Sequence, residues 1–281
     1  HSDTHSFPTR RSSDLGYSFY TVSEDSLEYI YKPDREPLPS AWMPPGYVWF
    51  MSPFVTIDNA PVRNISLIVT QILLSSVVLI LLYKLTRRHF NEKTAFISVI
   101  IAGFLPEFIY APATWGSTIF YHLGILLLFL LIYQFDRLKG LKNSIIAGII
   151  LIFIILFRFE FLLFAGVIVL MLFARKRIKE SAVIIICLIF LLSPWLIRNY
   201  NAFNEFAPPV TSGGFNFFRG HNSIEPGAWG TRDIWQKVFA LDTGKTFELD
   251  LSSLYYEHAF EYIKKNPGGE LLNLLEKTAI F

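Results

Sequence analysis

Apolar residues gather in six long blocks, with charged residues confined to the gaps between them. The blocks are 65–83, 94–112, 118–135, 144–157, 161–174 and 182–197. Crossing a hydrocarbon core of ~30 Å takes about 20 apolar residues in a helix, so the longer blocks predict membrane-spanning helices. The stretch 144–174 is too long for one span and carries basic flanks on both sides. A hairpin of two short halves lets both flanks stay on one side. Each ~14-residue half covers only ~21 Å, so its turn lies below the far surface, sheltered by neighbouring helices. Outside the blocks, residues 1–64 and 198–281 are polar and rich in aromatics.

Charge orients this pattern. Lys84, Arg87, Arg88 and Lys93 follow the first block. Arg137, Lys139 and Lys142 follow the third, and Arg175, Lys176, Arg177 and Lys179 the fifth. The connection "ATWGST" has no Lys or Arg. Short basic loops remain cytoplasmic, which puts 1–64, "ATWGST" and 198–281 outside. The expected architecture is all-α: an integral membrane helical bundle over 65–197, of about six spans including the short hairpin 144–174. A partial first outer loop (16–64) precedes it. A small extracytoplasmic region (198–281) follows, in which "KKNPGGELLNLLEKTAIF" reads as a helix, a Pro-Gly break and an approach to a truncated next span.

Composition supports this reading. The 281 residues are 52% hydrophobic and 17% charged, with mean hydropathy +0.41, against about a quarter charged in soluble domains. A net charge of +2 gives no footprint for nucleic acid. Cys187 is the single cysteine, so no intramolecular disulfide can form.

The opening residues do not fit an outer loop, because nothing ahead of them could carry them across a membrane. "HSFPTRRSSDL", residues 5–15, resembles a translated sequencing-adapter oligonucleotide. On that reading residues 1–15 are an artefact, native sequence begins near Gly16, and the chain is a fragment expected to lack transferase activity.

Four stretches carry candidate chemistry. In "SAWMPPGYVWF", Pro44-Pro45 excludes a regular helix at that point, and Trp42, Tyr47 and Trp49 suit a membrane interface. "APATWGSTIF" is a tight outer turn. "RFE" places Arg158 and Glu160 at the tip of the hairpin. An ionisable pair at membrane depth is a functional-site candidate, and two charges reaching to the interface is the alternative reading. In "PWLIRNYNAFNEFAPPVTSGGFNFFRGHN" a span ends at Pro194-Trp195, Arg198 and Asn199 follow, and Gly213-Gly214 gives a flexible turn. There Phe215, Phe217 and Phe218 crowd around Asn216, Arg219, His221 and Asn222. Arg pairs with phosphate bidentately, and aromatic rings stack on sugars; a loop packing its own aromatics on the bilayer is the alternative.

Taken in order, these stretches resemble the polyprenyl-phosphate-dependent glycosyltransferases of the GT-C fold, closest to family 39 with its protein-mannosyltransferase-like and aminoarabinose-transferase-like members. "MPPGY", "ATWGSTIF", "FRFEFLLF" and "PWLIRNY…SGGFNFFRGHN" carry the likeness from Gly16 to Phe281. The resemblance implies a sugar transferase in a bacterial plasma membrane. Its donor would be a polyprenyl-phosphate-linked sugar, its acceptor a lipid, glycan or protein on the outer face, and no cofactor or metal would be required. It implies donor-phosphate contacts from Arg158, Arg198 and Arg219. Glu160, Asn216, His221, Asn222 and Tyr47 are further substrate-binding candidates. The family's general-base Asp is expected upstream of Gly16, so the catalytic residue is unassigned. Relatives often carry an acidic residue where this chain reads Trp115-Gly116-Ser117. Glu24, Asp25 and Glu28 in the first outer loop are candidate substitutes, with a solvated charge cluster as the favoured alternative reading. The rival readings are a transporter or lipid flippase, whose spans should hold more than Glu107, His122 and the 158–160 pair, and a glycan polymerase or ligase with outer-loop arginines.

Overall fold

The structure, a computed structural model, describes residues 18–19, 21–22, 29–30, 38–133, 139–222, 237–238, 241 and 244–280. The adapter-like residues 5–15 and Glu24, Asp25 and Glu28 lie outside them. The described chain is helical apart from two antiparallel ladders of two-residue strands, β1 (Ser18–Phe19) with β4 (Leu38–Pro39), and β2 (Thr21–Val22) with β3 (Tyr29–Ile30). It forms two compact units: Pro44–Trp195, and Leu15–Met43 with Leu196–Phe281.

The first unit begins with α1 (Pro45–Val55) and α2 (Ala60–His89). Pro44-Pro45 was expected to exclude a helix; instead Pro45 is the first helical residue. The first turn has no use for its missing N–H, and its fixed φ is already helical. Asn59 caps α2 by accepting from the Val62 N–H, and Arg87, Arg88 and His89 close it, where cations favour the carbonyl end of the helix dipole. α2 and α8 (Ile178–Phe203) are the two helices individually long and apolar enough to cross a membrane.

The expected single span 94–112 is broken. α3 (Glu92–Phe104) stops at Leu105, and α4 (Pro106–Tyr110) with a 3₁₀ turn (Ala111–Ala113) departs at 65°. The cause is Pro106, which cannot donate to a continuing helix and holds Leu105 in extended backbone. α5 (Thr118–Tyr133), α6 (Leu141–Phe157) and α7 (Phe161–Ala174) are the shorter apolar helices. α6 and α7 form the hairpin, whose tip is 158–160. Residues of α5, α6 and α7 and Ile184 of α8 make one core centred on Leu151, Ile155, Ala165 and Leu172. Large side chains such as Phe104, Leu163, Leu170, Ile189 and Phe190 point outward, as lipid-facing helices require, while Gln71 and Ser75 of α2 turn inward.

The span expected to end at Pro194-Trp195 does not end there; α8 runs through Pro194 to Phe203. Pro194 leaves the Phe190 carbonyl without its helical donor, and the Ser193 hydroxyl supplies one at 2.8 Å.

The second unit contains the end of α8, α9 (Gly213–Gly220), α10 (Phe247–Lys265) and α11 (Pro267–Ile280). Gly213-Gly214, expected as a flexible turn, instead opens α9. Gly214 is required by proximity: a Cβ there would stand 2.0 Å from the Ser252 carbonyl oxygen of α10. That contact lets Phe215 and Phe218 pack with Phe247, Leu251 and Tyr255 in the unit's core. Asn266 separates α10 from α11, at the expected break.

Candidate functional site

In the first unit, three of the four stretches meet. The N-terminal turn of α1 lies on the end of α6 with no room for a side chain. A Cβ on Gly46 would fall 2.6 Å from the Leu156 carbonyl oxygen and 2.9 Å from the Phe157 ring. One residue on, the Tyr47 hydroxyl donates to Gln71 Oε1 at 3.3 Å, and Gln71 Nε2 donates to the carbonyls of Pro112 (3.0 Å) and Thr114 (3.1 Å). "MPPGY" is thereby tied to the tip of the hairpin on one side and to the 111–117 turn on the other. Aromatic packing fills the space: Tyr47 meets Phe120 edge-on at 6.2 Å, and Phe120 stacks on Phe157 at 3.9 Å.

Arg158 sits at this junction. Its guanidinium lies over the Tyr121 ring, 5.3 Å from the centroid, and makes a loose 3.8 Å ion pair with Glu160. The guanidinium is partly exposed, yet Nε is buried and has no hydrogen-bond partner among the described residues. A cation with an unspent donor, braced on a ring, can take an anion with delocalised oxygens. Glu160 is largely exposed beside it.

In the second unit the remaining candidates are mostly committed to the protein itself. Arg198 donates to the Ser40 carbonyl (2.7 Å) and to Asn199 Oδ1 (3.2 Å), and fully buried Asn199 donates to the Pro208 carbonyl at 3.1 Å. These bonds clamp the 40–41 segment and the 204–212 loop onto the end of α8. Asn222 Nδ2 satisfies the Phe218 and Arg219 carbonyls at the end of α9. His221 Nδ1 lies 2.7 Å from Glu270 Oε1, and Asn273 and Lys277 of α11 both donate to the Gly220 carbonyl. Arg219 lies over Phe215, 5.7 Å from the ring centroid, and Asn216 is exposed on α9.

The organising group of this unit is one that sequence reasoning missed. Glu248, 1% exposed, accepts through Oε1 from the Ala41 N–H (3.1 Å) and from the Thr211 hydroxyl, while Oε2 has no partner among the described residues. The Thr211 N–H in turn donates to the Ala41 carbonyl at 2.9 Å. Burial pushes the Glu248 carboxyl up to about 7, against the opposing pull of Thr211, Ser40, the Ala41 N–H and the Arg198 charge. Gln71 was missed as well, although a lone amide inside an apolar block was there to be noticed. "TFELDL" offers no such signal for Glu248. Among the described residues no group of three His, Cys, Asp or Glu side chains could hold a metal ion.

Residues 43–197 match the sequence profile of the dolichyl-phosphate-mannose-protein mannosyltransferase family. That is more than half of the chain, and it covers α1–α7, most of α8 and the convergent site of the first unit. The chain belongs to this family. It is a membrane glycosyltransferase of the GT-C type, as the ordered motifs implied. Comparison with curated proteins finds no match, and neither does comparison with solved structures.

Proposed function

We propose that the protein moves a sugar from a polyprenyl-phosphate donor to a lipid, glycan or protein acceptor at the outer face of a bacterial plasma membrane. In this topology the three basic loops are cytoplasmic, and the 111–117 turn and residues 198–281 are outside. The observation that carries the reading is Arg158. A cation held on the Tyr121 ring, with a buried Nε that has no partner among the described residues, stands where "MPPGY", the 111–117 turn and the hairpin tip converge. A lipid phosphate reaching this point from the bilayer would be held there and would leave as polyprenyl phosphate once the sugar is transferred. Arg198, His221 and Asn222 are assigned to holding the second unit in shape, given the intramolecular partners each one has.

The test is photocrosslinking of the chain in nanodiscs with a photoreactive polyprenyl-phosphate mannose. Saturable labelling within 156–162 is expected, with affinity lowered roughly tenfold, about 1.4 kcal/mol, in Arg158→Ala. Labelling that is unsaturable, or indifferent to Arg158→Ala, would refute the reading.

A further inference from the structure

The basic end of the α6–α7 hairpin is not used by the site described so far. Near it α6 and α8 touch at Gly148, where a Cβ would stand 2.6 Å from Cys187 Cβ and 3.8 Å from Ile184 Cα. One turn nearer their N-termini the two helices leave a cleft of about 510 Å³. Leu141 and Ser144 of α6 line one wall, and Lys179, Glu180, Ala182 and Val183 of α8 the other. The small side chains of Ser144 and Ala182 keep the space open. Its lining is mostly apolar. Ser144 is fully buried and spends its hydroxyl on the Gly140 carbonyl at 3.1 Å. Glu180 pairs with Arg177 at 3.4 Å, so those two charges offset each other.

The mouth of the cleft has a different character. Lys139 and Lys142 flank its α6 wall, and Arg175, Lys176 and Lys179 lead into its α8 wall; all five are exposed. Across 139–150 and 170–183 the one acidic residue is Glu180. Exposed Leu141, Ile145, Ile178 and Ile186 extend the apolar surface along the same two helices.

This combination selects its occupant. An apolar gap loses dispersion contacts until something fills it, and it offers water too few polar partners. In a bilayer the filler at hand is an acyl chain. Basic pockets between membrane helices hold anionic headgroups, each Lys or Arg near the surface contributing about 1 kcal/mol. We propose that the cleft binds an anionic phospholipid, with one acyl chain between α6 and α8 and the phosphodiester held at the mouth by Lys179 and its basic neighbours. The site is independent of the transferase reading, because Arg158 lies at the opposite end of α6.

The experiment is photolabelling of the detergent-purified chain by phosphatidylglycerol with a diazirine in one acyl chain, mapped by peptide mass spectrometry. Saturable labelling within 139–146 and 178–187 is expected. Unlabelled phosphatidylglycerol should displace it; phosphatidylcholine of the same chain length and polyprenyl phosphate should not. Lys179→Ala should weaken apparent affinity roughly fivefold, about 1 kcal/mol. Ala182→Phe fills the cleft and leaves every charge in place, so it should abolish labelling of these peptides while the thermal melt is unchanged. If that variant does not fold, Lys179→Ala, on the surface, decides the matter. Labelling that does not saturate, that phosphatidylcholine displaces equally, or that neither variant changes would reduce the effect to bulk lipid contact and overturn the inference. Displacement by polyprenyl phosphate would make the cleft a donor site and overturn it as well.

Discussion

Replacing Glu248 by glutamine should make the second unit more stable at neutral pH, although it removes a charged group that accepts two hydrogen bonds. The reasoning starts from Oε2, which is buried without a partner among the described residues, and from a carboxyl that burial pushes up to about 7 from an ordinary 4.5. The folded state therefore holds a proton that the unfolded chain has released. Stability from this group is fully present below about 4.5, declines as pH rises towards about 7, and is flat beyond. At 1.36 kcal/mol per unit, the difference is about 3 kcal/mol. Glutamine keeps the Oε1 acceptor for Ala41 and Thr211 and has no charge to desolvate, so it resembles the protonated acid at every pH. The assay is amide hydrogen exchange of peptides covering 38–43 and 247–255, in nanodiscs between pH 4.5 and 8, corrected for intrinsic rates. The wild-type opening free energy should fall by about 3 kcal/mol across that range, and that of Glu248→Gln should stay level. The two should agree near pH 4.5 and diverge above it. Parallel curves, or a wild type that gains protection as pH rises, would refute the reasoning.

Three further outcomes follow from close contacts. Gly46→Ala forces a methyl group to 2.6 Å from the Leu156 carbonyl oxygen, so α1 must shift; thermal unfolding in detergent should show a loss of about 1–3 kcal/mol, the ordinary cost of overpacking. Gln71→Leu leaves the Pro112 and Thr114 carbonyls unpaired; the loss should be about 1–3 kcal/mol, read by the same melt, with faster exchange confined to 111–117. Glu270→Gln weakens the 2.7 Å contact with His221 and should speed exchange across 267–278 at neutral pH by at least tenfold, while α2 is unaffected.

Much of the fold was legible because a bilayer allows few solutions. Apolar blocks bounded by Lys and Arg leave little choice but helices, and the basic flanks of 144–174 already demanded a hairpin. What misled was proline. Pro45, Pro106 and Pro194 sit in similar apolar surroundings, yet one starts a helix, one breaks a span and one is absorbed. The difference lies in which carbonyl loses its donor and whether a Ser193 is at hand to replace it. Arg158, Glu160 and Tyr47 could be picked out as candidates, because charge or aromatic content stands out against an apolar block. The second-unit candidates were read as ligand groups for the same reason, yet Arg198, His221 and Asn222 are bonded to the chain itself. Glu248 was out of reach, because its role depends on Ala41 and Thr211, 207 and 37 residues away.

Gln71 carries a lesson for mutational scans of this protein. Its amide serves Tyr47 on one side and two backbone carbonyls on the other, so the effects of changes there are epistatic. Tyr47→Phe removes a hydroxyl that Gln71→Leu would otherwise strand, so the double variant should lose less than the two single variants together. A library scored one position at a time would count the Tyr47–Gln71 bond twice and overstate the cost of changing both residues.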